Sequence, residues 1–154
     1  LKKASEVDFD ISLSLPFLIN ETAVNPGGKA YSDSKLLDAS SDPDVAKYGD
    51  KISDFKLNKI TYTISGANPG SVQFSNGTLK IASSGKTIAT AASVNLSNTA
   101  ETELTADATG FEELASELLD DNQETIQLQG TLSATPVTFT VNFKFYITVT
   151  ASAL

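Results

Sequence analysis

Apolar and polar side chains swap places on successive residues at both ends of this chain, and that pattern restricts the fold more than any other feature. From Val7 to Ile19 the apolar residues Val7, Phe9, Ile11, Leu13, Leu15, Phe17 and Ile19 take every second position, with Asp8, Asp10, Ser12, Ser14 and Asn20 between and after them. From Val137 to Val149 the residues Val137, Phe139, Val141, Phe143, Phe145, Ile147 and Val149 alternate with Thr138, Thr140, Asn142, Lys144, Tyr146 and Thr148. A period of two puts all the apolar side chains of a strand on one face, so each segment is a half-buried strand that needs a second layer to cover it. Pro16 lacks the amide proton a ladder needs, which places it at a sheet edge, at a bulge or at a break between two strands.

Shorter strands lie between these two. In Phe55 to Ile64 the apolar phase moves from Phe55 and Leu57 to Ile60, Tyr62 and Ile64, which predicts a bulge near Asn58. Val72 to Ser75 and Thr78 to Ala82 flank Asn76-Gly77, the pair that most readily closes a type I′ hairpin. Thr87 to Leu96 and Thr125 to Leu132 are further strands. Two short helices interrupt them. Asp42-Pro43 supplies an N-cap and a first-turn proline for a helix through Tyr48, with Gly49 as its left-handed stop. Thr109 and Glu112 have the spacing of a capping box ahead of Phe111, Leu114, Ala115, Leu118 and Leu119, which share a helical face. The stretch from Asn25 to Ser41, rich in Gly, Ser, Asp and Pro, reads as the longest and most mobile loop.

Strands outnumber helices and there is no βαβ alternation, so the expectation is a mostly β protein. It is an antiparallel β-sandwich, Ig-like or jelly-roll-like, with one or two short helices and a β-barrel as the alternative. At 154 residues one domain is expected over 1–154, with a core large enough to need no disulfide.

Composition removes whole classes of chemistry. The chain has no Cys, Met, Trp or His, and all 11 basic residues are Lys. A Ser-His-Asp triad, a Cys nucleophile, a structural zinc site and the common haem ligands are therefore excluded, and only oxygen could hold a metal. The net charge of −8 opposes approach to a phosphate backbone, so nucleic acid is not an expected partner, and no cofactor is expected. No apolar run approaches the length of a membrane span.

The segment DASSDPDVAKYGDKISDFKLNKITYTISG, Asp38 to Gly66, together with VDFDISLSLPFLINETAV before it and NGTLKI after it, resembles a group of uncharacterised exported lipoproteins of the Bacteroidetes. The resemblance covers about half of the chain. It implies a β-sandwich exported across the inner membrane and tethered by a lipid on an N-terminal cysteine. Leu1-Lys2-Lys3-Ala4 would then be the tail of the tether, with residues 1–5 as its remnant and the membrane met only through that lipid. The resemblance carries no catalytic residues.

Four candidate sites can be weighed against plainer readings. Asp38, Asp42, Asp44, Asp50 and Asp54 form the densest acidic cluster, and Asp38, Asp42 and Asp44 are the calcium candidates. An EF-hand loop begun at Asp42 would place Lys47 where the turn glycine belongs and Ser53 where the bidentate glutamate belongs, so helix capping is the better account. Asp8 and Asp10 share a strand face, but a glycosidase pair needs a walled cleft between its acids. Tyr31, Tyr48 and Tyr146 are the aromatic faces available for a glycan, although Tyr146 beside Lys144 also suits cross-strand packing, and Tyr62 follows the inward phase as core. Phe139, Phe143 and Phe145 would line a cavity if the sandwich carried an apolar ligand, and otherwise fill its core. The expected role is a non-enzymatic structural or recognition module of the cell envelope, whose partner is a protein or glycan there. A glycan- or apolar-ligand-binding module is the alternative.

Overall fold

The computed structural model describes residues 5–154. It contains nine strands and two α-helices: β1 Glu6–Asn25, β2 Lys29–Asp38, α1 Pro43–Tyr48, β3 Ile52–Asn68, β4 Gln73–Ile81, β5 Thr87–Asn95, β6 Thr102–Glu103, β7 Thr105–Ala106, α2 Ala108–Asp121, β8 Gln123–Leu132 and β9 Thr135–Ser152. Single 3₁₀ turns flank α1 at Ala39–Ser41 and Gly49–Lys51. The strands form two antiparallel sheets, one in the order β1-β9-β3-β6 and the other β2-β8-β4-β5-β7. No closed barrel forms, because β1 and β6 end one sheet and β2 and β7 the other.

The order follows one rule. Chain halves pair in reverse, β1 with β9, β2 with β8, β3 with β6 and β4 with β5, and successive pairs fall in alternate sheets. A long antiparallel hairpin rolled on itself gives this arrangement, so the sandwich is a jelly roll and not the Ig order, in which early strands pair with their immediate neighbours.

The alternation at the chain ends builds the core as expected. β1 pairs with β9 from Glu6↔Ser152 to Glu21↔Val137, and Phe17, Ile19, Phe145, Ile147 and Val149 are completely buried. Opposite them lie Leu79, Ile81, Ile126, Leu128 and Leu132 of the second sheet. Phe74 meets Phe139 edge-on across the layers at 6.5 Å between ring centroids. Tyr62 belongs to this core. The bulge near Asn58 is present, since the β3–β9 register shifts between Leu57 and Lys59.

Three local expectations are corrected. Most of the stretch read as a loop from Asn25 to Ser41 is β2, paired with β8 from Lys29↔Leu132 to Asp38↔Gln123. It is an edge strand held by backbone pairing, and only Leu37 of it is buried, so its side chains carry no alternation to read. Asn76-Gly77 does not close a hairpin, because β4 runs straight through it. Asn76 alone takes a positive φ of 53°, and the β4–β8 register slips there, Ser75↔Thr131 giving way to Thr78↔Gln129. A type I′ turn needs positive φ at both central residues, whereas one such residue makes a bulge. Finally, α2 is capped by Asp107, whose Oδ1 accepts the Gly110 amide at 2.8 Å. Thr109 lies inside the helix and donates its hydroxyl to the same oxygen at 2.9 Å. A carboxylate is a stronger acceptor for helix amides than a hydroxyl, which moves the helix start two residues back.

Pro16 does sit at an edge, on β1, and the strand passes through it unbroken. Of the residues read as a tether remnant, 1–4 lie outside the described residues.

Candidate functional site

The outer face of the β1-β9-β3-β6 sheet is mostly polar and cross-linked by threonines. Thr150 Oγ1 donates to Asp8 at 2.7 Å and Thr148 Oγ1 to Asp10 at 2.8 Å, while Asn58 Nδ2 donates to Thr148 at 2.8 Å. Asp8 and Asp10 are therefore neighbours on one open strand face, each fixed by a hydroxyl of β9. No cleft separates them, so the geometry a glycosidase pair needs is missing from this pair.

Tyr146 lies in the same face, and two lysines occupy its ring. Lys59 Nζ is 4.7 Å and Lys144 Nζ 5.2 Å from the ring centroid. Its hydroxyl donates to Glu101, which also accepts Thr61 Oγ1 at 2.6 Å. The hydrogen bonds from Thr61 and Tyr146 hold the Glu101 carboxyl below its usual range, and Lys144 and Lys59 add to this. The cross-strand packing considered for Tyr146 is what the geometry shows: a cation–π and hydrogen-bonded cluster that pins the short strand β6 region to β3 and β9.

The other two tyrosines are committed elsewhere. Tyr48 stacks on Phe9 at 4.9 Å between centroids, tying α1 to β1. Tyr31 of β2 packs edge-on to Phe74 at 6.2 Å, and its hydroxyl points to Asp33. Burial, then the charge and hydrogen bond of Asp33, push its phenol up to about 12. None of the three tyrosines lines the interior cavity or the groove described below, so the structure does not bring them together as one aromatic platform.

The acidic cluster resolves into caps. Asp38 Oδ1 accepts from Ser40 N at 2.9 Å and from Ser40 Oγ at 2.6 Å. Asp42 Oδ1 accepts from Asp44 N at 2.9 Å and Val45 N at 3.2 Å, starting α1. Asp44 lies in the first turn of α1, where a negative charge suits the helix dipole. Among the described residues no group of three or more acidic side chains is placed to hold a metal ion.

Between the sheets the space is filled. Phe139 and Phe143 border a cavity of only about 20 Å³ with Tyr62, Phe74 and Leu128, and its wall is apolar. That is room for about one water in a place that offers it no partners, so the cavity is dry and far below ligand size. Phe145 is buried in the core away from it. The apolar-carrier reading does not survive this packing.

A groove of about 540 Å³ runs between Asp54–Leu57 of β3 and the Phe111, Ala115 and Leu119 side of α2. The helical apolar face could be read from the sequence. That, among the described residues, Phe55–Leu57 of β3 would have no strand on the side away from β9 could not.

No family model and no curated protein sequence matches the chain. Among solved structures it is similar to the decameric BFDV capsid protein, with 10% identity and a TM-score of 0.49 over 94% of this chain and 99% of that one. The 60-mer BFDV capsid protein gives 9% identity and 0.49 over 98% and 97%. Desmodium yellow mottle tymovirus gives 15% identity and 0.38 over 94% and 84%.

Proposed function

We propose that this domain is an exported, lipid-tethered module of the cell envelope with a structural or recognition role, and that it catalyses no reaction. The observation that carries the role is the packed interior: the cavity that Phe139 and Phe143 border between the sheets holds only about 20 Å³, so the domain offers surfaces and edges. Its oxygen chemistry is used internally as well. Asp8, Asp10, Asp38, Asp42 and Glu101 each accept hydrogen bonds from neighbouring side chains or helix amides. The export and the tether are supported by the resemblance of Asp38 to Gly66 and its flanking strands to exported lipoproteins.

Fractionation of the native host tests this reading. The full-length protein is expected in the envelope fraction, and blocking lipoprotein signal peptidase should accumulate a larger precursor. Recovery in the soluble cytosol, with no precursor under the block, would overturn it.

A further inference from the structure

β3 is paired with β9 along its length, but among the described residues the only strand on its other side is β6, at Thr61 and Tyr62. There Leu104 N donates to Ile60 O at 2.9 Å. In a strand of L-residues, side-chain direction and hydrogen-bonding direction are coupled, so residues facing the core turn their N–H and C=O to the same side. Ile60, Phe55 and Leu57 all face the core. Phe55 and Leu57 therefore turn their backbone groups away from β9, toward the side of α2, where among the described residues no strand lies.

That side is the groove against α2. Its far wall is apolar, from Phe111, Ala115 and Leu119, and among the described residues its rim carries Asp54 and Glu112, with Lys56 as the one cation. The solvent side of α2 continues the negative charge through Glu113, Glu117, Asp120 and Asp121. Desolvation first, then repulsion from Glu124, Asp120, Asp121 and Glu113, raises the Glu117 carboxyl above its usual range. The β1 edge differs. There Pro16 and Lys35 block pairing, whereas among the described residues no proline interrupts β3 beside Phe55 and Leu57.

We propose, resting on the recognition reading above, that the groove between β3 and α2 binds a short extended segment of a partner protein. That segment carries lysine or arginine beside small apolar side chains and adds as a strand to Phe55–Leu57. Backbone pairing supplies the register, the apolar helix face takes alternate side chains, and the acidic rim selects cations.

The test is a titration of the isotope-labelled domain with a blocked Lys-Val-Lys-Val-Lys-Val peptide, followed by amide NMR shifts. Saturable shifts confined to residues of the groove are expected. Methylating alternate peptide amides, or the Ala115→Lys variant with its fold confirmed by an unchanged melting curve, should weaken binding about tenfold or more. Equal binding of a Glu-Val counterpart, shifts centred on β1 instead, or no shift at millimolar peptide would overturn the proposal. Because the purified domain is used, these outcomes are independent of where the cell places the protein. A failed titration leaves the fractionation result standing, and the reverse also holds.

Discussion

The Lys35 ammonium donates to the carbonyl oxygen of Pro16 at 2.8 Å, joining the free edges of the two sheets. Because Pro16 O points toward β2, the missing Pro16 amide proton would have pointed the same way, off the sheet. Proline therefore costs β1 no ladder bond. It removes a donor that would otherwise invite another chain, and Lys35 occupies the neighbouring acceptor.

It follows that the double variant Pro16→Val/Lys35→Ala should pair edge to edge. β1 is a 20-residue edge strand, long for an unprotected one. Sedimentation velocity is expected to show a concentration-dependent dimer for the variant under conditions where the parent domain sediments without one. Unchanged sedimentation of the double variant would mean that something else guards the edge.

Phe74 needs two glycines. Its ring would lie 2.2 Å from a Cβ placed on Gly130 and 3.3 Å from one on Gly77. Gly130→Ala should therefore destabilise the fold by about 1–3 kcal/mol through overpacking, since the ring is also fixed against Tyr31 and Phe139 and has nowhere to turn. In the Phe74→Leu background the same alanine should cost much less, and denaturant unfolding of the four proteins in the cycle measures that coupling. Additive costs would show that the clash is not the cause.

The parts of this fold legible in the sequence are those where one face is buried and the other wet. β1 and β9 announced themselves because Phe17, Ile19, Phe145 and Ile147 lie in one continuous core while Asp10 and Thr148 stay outside it. β2 did not, because an edge strand is specified by the backbone of β8 more than by its own side chains. The Asn76-Gly77 misreading has the same root: a positive φ is compatible with a turn or a bulge, and only the register of β8 decides between them. The candidate tyrosines could be named from the sequence, but their partners Phe9, Phe74, Lys59 and Glu101 are distant in sequence or on other strands, so their packing could not. The groove depends on where β6 stops, which no local pattern encodes.

The Asp42 carboxylate separates capping from metal binding. If it serves only Asp44 N and Val45 N, Asp42→Ala should cost about 1 kcal/mol, and Asp42→Asn, which keeps the acceptor, only a small part of that. Calcium should leave the melting temperature of all three proteins unchanged. A calcium-dependent rise in the parent, lost in Asp42→Asn, would revive the metal site.

Tyr31 gives the fold a dependence on alkaline pH whose sign is fixed by its environment. Its phenol is pushed from 10.0 to about 12, by burial first and then by Asp33 and Glu21, so the folded state favours the neutral ring. A folded pKa above the unfolded one contributes stability that is complete below about pH 10 and is lost as pH rises through about 12. Ultraviolet titration should show a late phenolate step, and Tyr31→Phe should remove that step. The same variant should flatten the decline in unfolding free energy over this window, with the slope reduced by partial solvent exposure of the ring. A parent domain with no late step, in which Tyr31→Phe instead lowers the amplitude of the ordinary phenolate step, would place Tyr31 in water and sever the packing of β2 onto Phe74.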